Sequence, residues 1–290
     1  MRFRTWITGA RVRTLPLAVA PVVLGSAVAA TIDRFDLVLA ILALFVALLL
    51  QIGVNYANDY SDGIKGTDAD RIGPMRLVGS GAATAKDVKN AAFISFVIAA
   101  IAGLILASRT SWLLIILGAI CILAAWTYTG GPKPYGYQAL GEVSVFIFFG
   151  VVATVGTYYV QTESVSREVL LASFAMGALA CAILVLNNLR DLENDKSADK
   201  KTLAVVMGDE GTRDLYKWLM FFALAMSVAL TFFSFFYLLA LLSLPLVSKS
   251  VRAVNSGASG TALIDLLAKT GRIQIIYALA LSFAALLVAR

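Results

Sequence analysis

The sequence has 290 residues, of which 60% are hydrophobic and 14% are charged, and its formal net charge at pH 7 is +6. Soluble domains are about half apolar and about a quarter charged, so the composition excludes an ordinary soluble domain and indicates a polytopic membrane protein. The chain contains no histidine, which excludes histidine acid–base chemistry, Ser-His-Asp triads and histidine-ligated zinc or haem.

The N-terminus combines four arginines within the first 13 residues with an apolar segment behind them. That order resembles a secretory signal peptide. Two prolines, Pro16 and Pro21, interrupt the apolar segment, and the rest of the chain continues the membrane pattern. We therefore interpret this segment as the first spanning helix, preceded by a basic cytoplasmic flank.

Apolar runs of about 20 residues predict membrane helices along the whole chain. They lie near residues 15–32, 37–57, 88–108, 112–129, 140–161, 168–188, 215–232, 234–248 and 273–289. The seventh and eighth share one uncharged run that is too long for a single span, and we predict a tight turn near Ser234. The sequence thus predicts an all-α membrane protein: about nine transmembrane helices around a central cavity, forming a single domain over residues 1–290.

The basic residues favour one orientation of these nine helices. With a cytoplasmic N-terminus, 20 of the 24 basic residues lie in inner segments, and only Arg34, Arg109, Arg167 and Arg290 lie outside. Positive charge concentrates on the cytoplasmic side of membrane proteins. We expect a multi-pass protein of the cell (inner) membrane whose active site faces the cytoplasm.

Two polar clusters rich in aspartate, residues 58–71 and 187–201, follow the second and sixth predicted helices. Asn58 and Asp62 have the same four-residue separation as Asn187 and Asp191. A duplicated helical unit explains this match, and two such units would face a shared cavity. The alternative is that two acidic loops have the same spacing by coincidence.

Carboxylate spacing in both clusters indicates a metal site. Asp191, Asp195 and Asp199 are spaced i, i+4 and i+8, so on a helix they share one face and repel each other unless a cation lies between them. Mg²⁺ prefers such oxygen ligands and commonly bridges them to phosphates. We expect two or more Mg²⁺ ions that grip a diphosphate. The predicted ligands are Asp59, Asp62, Asp68, Asp191 and Asp195, with Asn58 as a further candidate.

Basic residues near the carboxylates extend this prediction, because arginine and lysine bind phosphate oxygens. The predicted diphosphate contacts are Lys65, Arg71, Arg76, Lys133 and Arg190. Lys200 and Lys201 fit either a phosphate contact or an interaction with lipid headgroups. An acidic loop neutralised by its own basic neighbours is the alternative for each cluster. No Walker or GxGxxG motif is present, so neither nucleotide nor nucleic-acid binding is indicated.

A third polar segment, residues 128–137, follows the fourth predicted helix and is rich in glycine, proline and tyrosine. Lys133 offers a phosphate contact, and the ring of Tyr128 offers an aromatic face that stabilises a cation. Tyrosines are also common at membrane interfaces, and we assign no function to Tyr137.

Three motifs in order resemble the UbiA superfamily of intramembrane prenyltransferases: Asn58-Asp59-x-x-Asp62, Tyr128-x-x-x-x-Lys133 and Asp191-x-x-x-Asp195. Four stretches are similar to the branch that acts on 1,4-dihydroxy-2-naphthoate in menaquinone synthesis. They are residues 10–16, 58–68, 73–77 and 128–141. One departure concerns the third acid of the first motif, because that position is Gly66 and the next acid is Asp68.

The resemblance implies transfer of a polyprenyl group from a polyprenyl diphosphate to 1,4-dihydroxy-2-naphthoate, with loss of CO₂ and diphosphate, giving demethylmenaquinone. Mg²⁺ and basic side chains would stabilise the departing diphosphate, and the prenyl tail would lie among apolar helices in contact with membrane lipid. Asn58 would orient a carboxylate or a metal-bound water, and Arg13 would bind the acceptor's carboxylate. The implied catalytic residues are Asp59, Asp62, Asp191, Asp195 and Tyr128.

Other functions remain open at this point. A related enzyme would prenylate 4-hydroxybenzoate, homogentisate or haem. A cation or metabolite transporter would also carry intramembrane carboxylates, although usually at mid-bilayer rather than at helix ends. The CDP-alcohol phosphatidyltransferases pack their aspartates into one continuous motif, and that motif is absent here.

Overall fold

The structure, a computed structural model, describes residues 3–66, 73 and 75–288. These ranges are all-α, as predicted, and contain no β-strand. Their α-helices are α1 (Phe3–Ala10), α2 (Pro16–Ala30), α3 (Leu37–Lys65), α4 (Ala85–Arg109), α5 (Leu113–Thr127), α6 (Gly141–Val145), α7 (Ala153–Thr162), α8 (Arg167–Arg190), α9 (Leu192–Ser197), α10 (Leu203–Ala229), α11 (Leu244–Asn255) and α12 (Thr261–Val288).

Each of the nine predicted segments coincides with helix, but the number of membrane crossings stays a prediction. Within the described residues, seven helical segments are long and apolar enough to cross a membrane. An eighth is formed if Arg4–Thr14 and Pro16–Ala30, which meet at a bend of 54°, count as one span. The ninth candidate, α5, has 15 residues, or about 22 Å of helix against a hydrocarbon core of about 30 Å.

The bend before α2 centres on Arg11. This residue has a φ of 51° and a ψ of 62°, a left-handed conformation that is uncommon outside glycine and ends α1. A short 3₁₀ turn, Val12–Thr14, leads to Pro16, whose fixed φ suits the first turn of α2. The chain therefore turns sharply here and brings residues 11–14 against α3.

Helix α8 is the centre of the packing, and 16 of its 24 residues are buried. Half of these are alanine, glycine, serine or cysteine, and such small residues let neighbouring helices approach closely within a membrane. A π-helical segment, Phe146–Val152, joins α6 to α7 and packs against α8. Gly150 of this segment lies directly against the backbone of Gly177 in α8, so a larger side chain has no room at Gly150, and the ring of Phe146 fills the space beside Gly177. The outer faces of α3, α4 and α5 expose isoleucine, leucine and phenylalanine side chains, as expected for contact with lipid.

The turn predicted near Ser234 lies where the structure breaks the long apolar run. Helix α10 ends at Ala229, and a 3₁₀ turn continues to Phe232. Ser234 is extended, with a φ of −161°, and its hydroxyl accepts a hydrogen bond from the Phe236 amide. The next helical segment, Phe235–Asn255, is one of the seven candidate spans.

Candidate active site

A cavity of about 310 Å³ lies between α2, α3, α5, α7 and α8. Its walls are mostly aliphatic, but one end carries charged and amide side chains from both aspartate clusters. We call this region the charged end of the cavity, and it consists of Asn58, Asp62, Arg76, Asp191, Asp195 and Lys200. The two clusters, predicted from sequence to share a cavity, therefore meet within one cavity of the structure.

Helix α3 contributes polar side chains to the cavity at helical spacing. Gln51, Asn55, Asn58 and Asp62 all line the cavity, at spacings of three or four residues. Side chains at this spacing lie on one face of a helix. The face is amide-rich in the middle of the helix and ends in a carboxylate near its C-terminus.

Asp62 is almost fully buried, with 3% of its surface exposed. Its Oδ1 accepts a hydrogen bond of 2.6 Å from Tyr137 Oη. Its Oδ2 lies 3.9 Å from Arg76 Nη2 and 4.0 Å from Lys200 Nζ. A buried carboxylate needs hydrogen bonds and opposite charges around it, and Tyr137, Arg76 and Lys200 supply both to Asp62.

Asp191 and Asp195 come from the junction of α8 and α9. Arg190 donates two hydrogen bonds of 2.7 Å to Asp191, one to each carboxylate oxygen. Asp195 Oδ1 lies 3.4 Å from Lys200 Nζ. Burial raises the pKa of Asp195 to about 6, against the opposing charge of Lys200. Lys200 thus lies between Asp62 and Asp195 and connects the two clusters.

Residues 128–137 complete the charged end from the side of α5. Tyr128 lines the cavity and packs edge-on against Tyr135, with ring centroids 5.5 Å apart. Thr129 donates a hydrogen bond of 2.8 Å to Asn58 Oδ1, which fixes that amide at the cavity wall. Six of the predicted site residues therefore line the cavity, and their roles stay predictions: Asn58, Asp62, Arg76, Tyr128, Asp191 and Asp195.

Several predicted residues lie elsewhere in the described structure. Asp59 is fully buried outside the cavity lining, and its two oxygens accept hydrogen bonds from the amides of Leu77 and Val78 at 2.8 and 3.0 Å. It anchors the loop after α3 and is not positioned as a metal ligand. Asp199 is exposed beyond the end of α9, so it does not share a helix face with Asp191 and Asp195.

Four residues predicted to contact substrate lie outside the described cavity lining, and those contacts stay predictions. Lys65 donates to the Thr129 carbonyl at 2.8 Å, and Lys133 is exposed on its loop. Arg190 pairs with Asp191 and, like these two lysines, is not among the described residues lining the cavity. Arg13 is exposed, and Arg11 occupies the cavity wall instead. Asp68 and Arg71 lie outside the described residues.

Tyr137 and Lys200, two side chains that contact Asp62, were not assigned to the site from the sequence. Tyr137 had no assigned function, yet its hydroxyl bonds Asp62 and its ring lies 4.6 Å from Lys65 Nζ and 5.1 Å from Lys200 Nζ. Lys200 was left open between phosphate and lipid. No local pattern identifies either residue, because both reach Asp62 through contacts between segments distant in sequence.

The oxygen atoms at the charged end are of the kind that bind a divalent cation. Within the described residues, however, no three acidic or cysteine side chains lie close enough together to form a complete metal site. Asp62, Asp191, Asp195 and Asn58 offer hard oxygen atoms to one end of the cavity. Asp195 Oδ2 is buried and has no hydrogen-bond partner in the described part of the chain. A buried carboxylate oxygen of this kind calls for a cation or a donor.

The model of the UbiA prenyltransferase family matches residues 18–259. The chain belongs to the UbiA prenyltransferase family. The 1,4-dihydroxy-2-naphthoate octaprenyltransferase of Mycobacterium tuberculosis is 49% identical over 280 residues, covering 97% of this chain and 96% of that protein. The enzyme of the same name from Escherichia coli is 38% identical, covering 93% and 91%.

Solved UbiA structures share the fold of this chain. A UbiA homolog from Archaeoglobus fulgidus bound to GPP and Mg²⁺ superposes with a TM-score of 0.67 at 14% identity, covering 96% of this chain and 99% of that one. The apo structure of a UbiA homolog from Aeropyrum pernix K1 gives a TM-score of 0.68 at 17% identity, covering 97% and 98%. These comparisons confirm the resemblance to the UbiA family and the all-α membrane fold.

Proposed function

We propose that this UbiA family member transfers a polyprenyl group from a polyprenyl diphosphate to 1,4-dihydroxy-2-naphthoate, with release of diphosphate and CO₂. The observation that carries the proposal is the division of a single cavity into a charged end and aliphatic walls. That division matches a substrate with a diphosphate head and an isoprenoid tail. The near full-length similarity to octaprenyltransferases of this name supports the choice of acceptor.

The charged end is suited to hold the diphosphate. Arg76 and Lys200 both line it, 3.9 and 4.0 Å from Asp62 Oδ2, and both carry the positive charge that binds phosphate oxygens. Positive side chains that are already fixed in a water-poor site stabilise the charge that develops on a departing diphosphate. Lys200 is held by two carboxylates, so it is oriented before the substrate arrives.

Mg²⁺ is the proposed cofactor, and Asp62, Asp191, Asp195 and Asn58 are the residues that would hold it. When bound, it neutralises phosphate charge and makes diphosphate a better leaving group. The expectation of two or more ions stays a prediction. The Mg²⁺-bound structure of an archaeal UbiA homolog is in keeping with this cofactor.

Aliphatic and aromatic side chains that line the cavity favour formation of the carbon–carbon bond. Aliphatic side chains of α2, α5 and α7 exclude water, which would otherwise capture an allylic cation. The rings of Tyr128 and Tyr135 line the cavity next to the charged end and stabilise positive charge there. Transfer breaks the allylic carbon–oxygen bond, as diphosphate leaves with its electron pair, and forms a carbon–carbon bond to the ring. The bond between the ring and its carboxylate also breaks, CO₂ leaves, and that electron pair stays in the ring. No oxidation occurs in these steps, so the immediate product is the hydroquinone, which a separate oxidant such as dioxygen converts to demethylmenaquinone.

The test uses the full chain purified in detergent with Mg²⁺, 1,4-dihydroxy-2-naphthoate and an isotope-labelled polyprenyl diphosphate. We expect a labelled, decarboxylated prenyl naphthoquinone by mass spectrometry and equimolar release of diphosphate. Asp62→Asn should lower the rate at least about a hundredfold, because it removes a buried charge from the reacting end. Turnover with 4-hydroxybenzoate but not with the naphthoate would contradict the proposed acceptor.

The expected location is the cell (inner) membrane, with the charged end facing the cytoplasm. Seven or eight apolar helices support membrane insertion. The basic segments around both aspartate clusters support the cytoplasmic orientation. Labelling of a cysteine introduced at exposed Lys133, in right-side-out and inverted vesicles, tests the orientation: reaction from the cytoplasmic side alone is expected.

A further inference from the structure

A second polar group lines the cavity deeper along α3. We call it the amide cluster, and it consists of Thr14, Gln51 and Asn55. Gln51 precedes Asp62 by about 16 Å along the helix axis, at 1.5 Å per residue. Asn55 precedes Asn58 of the charged end by only about 4.5 Å, so the amide cluster begins beside the charged end and extends away from it along α3.

Hydrogen bonds fix how the two amides of the cluster are oriented. Thr14 Oγ1 donates to the Arg11 carbonyl at 2.9 Å, which uses its only hydrogen. The same oxygen accepts from Gln51 Nε2 at 2.9 Å and from Asn55 Nδ2 at 3.0 Å. A hydroxyl has one donor and two acceptor positions, so Thr14 is saturated, and both amide nitrogens must face it.

This arrangement leaves one acceptor unused. Asn55 Oδ1 accepts a hydrogen bond of 3.4 Å from Gln51 Nε2. Gln51 Oε1 is buried, with the residue only 3% exposed, and it has no hydrogen-bond partner in the described part of the chain. Buried polar atoms without partners are rare in folded proteins, because each costs free energy. The amide of Gln274 is also buried and has no partner among the described residues, but only Gln51 lines the cavity, where a ligand can reach it.

Arg11 adds a positive charge beside the amide cluster. It lines the cavity, and its Nη2 lies 3.4 Å from the Asn55 carbonyl oxygen. Its left-handed backbone, with a φ of 51°, is unfavourable for a residue other than glycine, and it turns the chain so that residues 11–14 meet α3. The flanking cavity residues, Leu17, Leu50 and Val54, are aliphatic. A flat apolar group that carries a hydroxyl and an anionic substituent complements this wall.

We propose that the amide cluster and Arg11 bind the aromatic acceptor, with Gln51 Oε1 accepting a hydrogen bond from a ring hydroxyl and Arg11 pairing with the ring carboxylate. This inference rests on the proposed function and assigns the acceptor's position within the same cavity. Gln51 then selects acceptors that carry a hydroxyl at the matching ring position, because only those satisfy its buried carbonyl.

The first test compares Gln51→Met, which has a similar shape but no acceptor oxygen, with the wild type. We expect the KM for 1,4-dihydroxy-2-naphthoate to rise about tenfold while the KM for the prenyl diphosphate is unchanged. Gln274→Met is the matched control, because Gln274 is a fully buried glutamine of α12 that is not among the cavity-lining residues described. It should leave the acceptor KM unchanged.

The second test begins with the wild type, so its first result does not depend on the folding of a variant. The two naphthoates that lack one of the two hydroxyls are measured as competitive inhibitors against the acceptor. One should bind about tenfold more weakly than the other. In Gln51→Met that difference should disappear.

Failure of this inference is distinguishable from failure of the proposed function. A wild type that produces no prenyl naphthoquinone contradicts both. A wild type that turns over, together with an unchanged acceptor KM in Gln51→Met, overturns the acceptor site alone. Equal inhibition of the wild type by the two monohydroxy naphthoates, or an equal rise of both KM values in Gln51→Met, also overturns it.

Discussion

Tyr137 donates a hydrogen bond of 2.6 Å to the carboxylate of Asp62, across a separation of 75 residues. The same ring lies 4.6 Å from Lys65 Nζ and 5.1 Å from Lys200 Nζ. The loop after α5 therefore holds the end of α3 and the segment after α9 in one place. Tyr137 is a positioning residue, since it acts through Asp62 rather than by lining the cavity.

Removing the Tyr137 hydroxyl should weaken the site without unfolding the protein. In Tyr137→Phe we expect kcat/KM for the prenyl diphosphate to fall about tenfold, the usual effect of losing one hydrogen bond to a charged group. Steady-state kinetics with fixed acceptor measure this. Tyr159→Phe, at a tyrosine of α7 outside the described cavity lining, is the control. Equal kinetics for the two variants would contradict the positioning role.

Lys200 and its neighbour Lys201 provide a sharper comparison. Lys200 lies between Asp62 and Asp195, whereas Lys201 is exposed. Lys200→Met should raise the KM for the prenyl diphosphate about 10- to 100-fold, because it removes a cation from the phosphate end and leaves two buried carboxylates less well paired. Lys201→Met should match the wild type. If the two variants lose affinity equally, both lysines act at the membrane surface and not in the cavity.

Asp59 and Asp62 should give opposite results, although both belong to the same sequence motif. Asp59→Asn leaves one of the Leu77 and Val78 amides without its acceptor, which should cost about 1–3 kcal/mol of stability. We expect a lower thermal midpoint in detergent and kcat close to wild type below that midpoint. Asp62→Asn should fold normally and lose activity. Loss of activity in Asp59→Asn at a wild-type midpoint would return Asp59 to the list of metal ligands.

Close packing between α8 and the π-helical segment gives a prediction on stability. A methyl group at Gly150 would collide with the backbone of Gly177. Gly150→Ala should therefore lower the thermal midpoint by several degrees, in line with overpacking costs of about 1–3 kcal/mol. Gly156→Ala, where an added methyl group meets no atom within 4 Å, should not lower it. A wild-type midpoint for Gly150→Ala would show that the two helices can separate.

Much of the fold was predictable because lipid imposes long apolar helices, and these are visible directly in the sequence. The positions of Asn58, Asp62, Asp191 and Asp195 also followed, since each lies at the end of an apolar run. Helical periodicity does not separate Asp59 from Asp62, because Asp59 is four residues from Asn55 and three from Asp62. The difference comes from tertiary contacts, since the amides of Leu77 and Val78 bond both oxygens of Asp59.

The remaining site residues depend on tertiary contacts that sequence alone does not specify. Whether Arg11 or Arg13 enters the cavity depends on the left-handed conformation at Arg11, which no local signal such as glycine announces. Lys65 and Lys133 both carry a charge that could bind phosphate. In the structure, however, Lys65 donates to the Thr129 carbonyl in the loop after α5, and Lys133 is exposed on that loop. Lys200 reaches Asp62 only because α9 ends and the chain folds back beside the loop after α5, where the Ala139 amide donates to the Lys201 carbonyl at 2.8 Å.

A cryo-EM structure of the full chain with Mg²⁺ and a non-reactive polyprenyl thiolodiphosphate tests the proposed site most directly. We expect the diphosphate to lie at the charged end, in contact with Lys200 and Arg76, with Mg²⁺ between it and Asp62, Asp191 and Asp195. The isoprenoid tail should follow the aliphatic walls of the cavity. A diphosphate bound elsewhere, with these three carboxylates still paired only to their basic neighbours, would contradict the central claim.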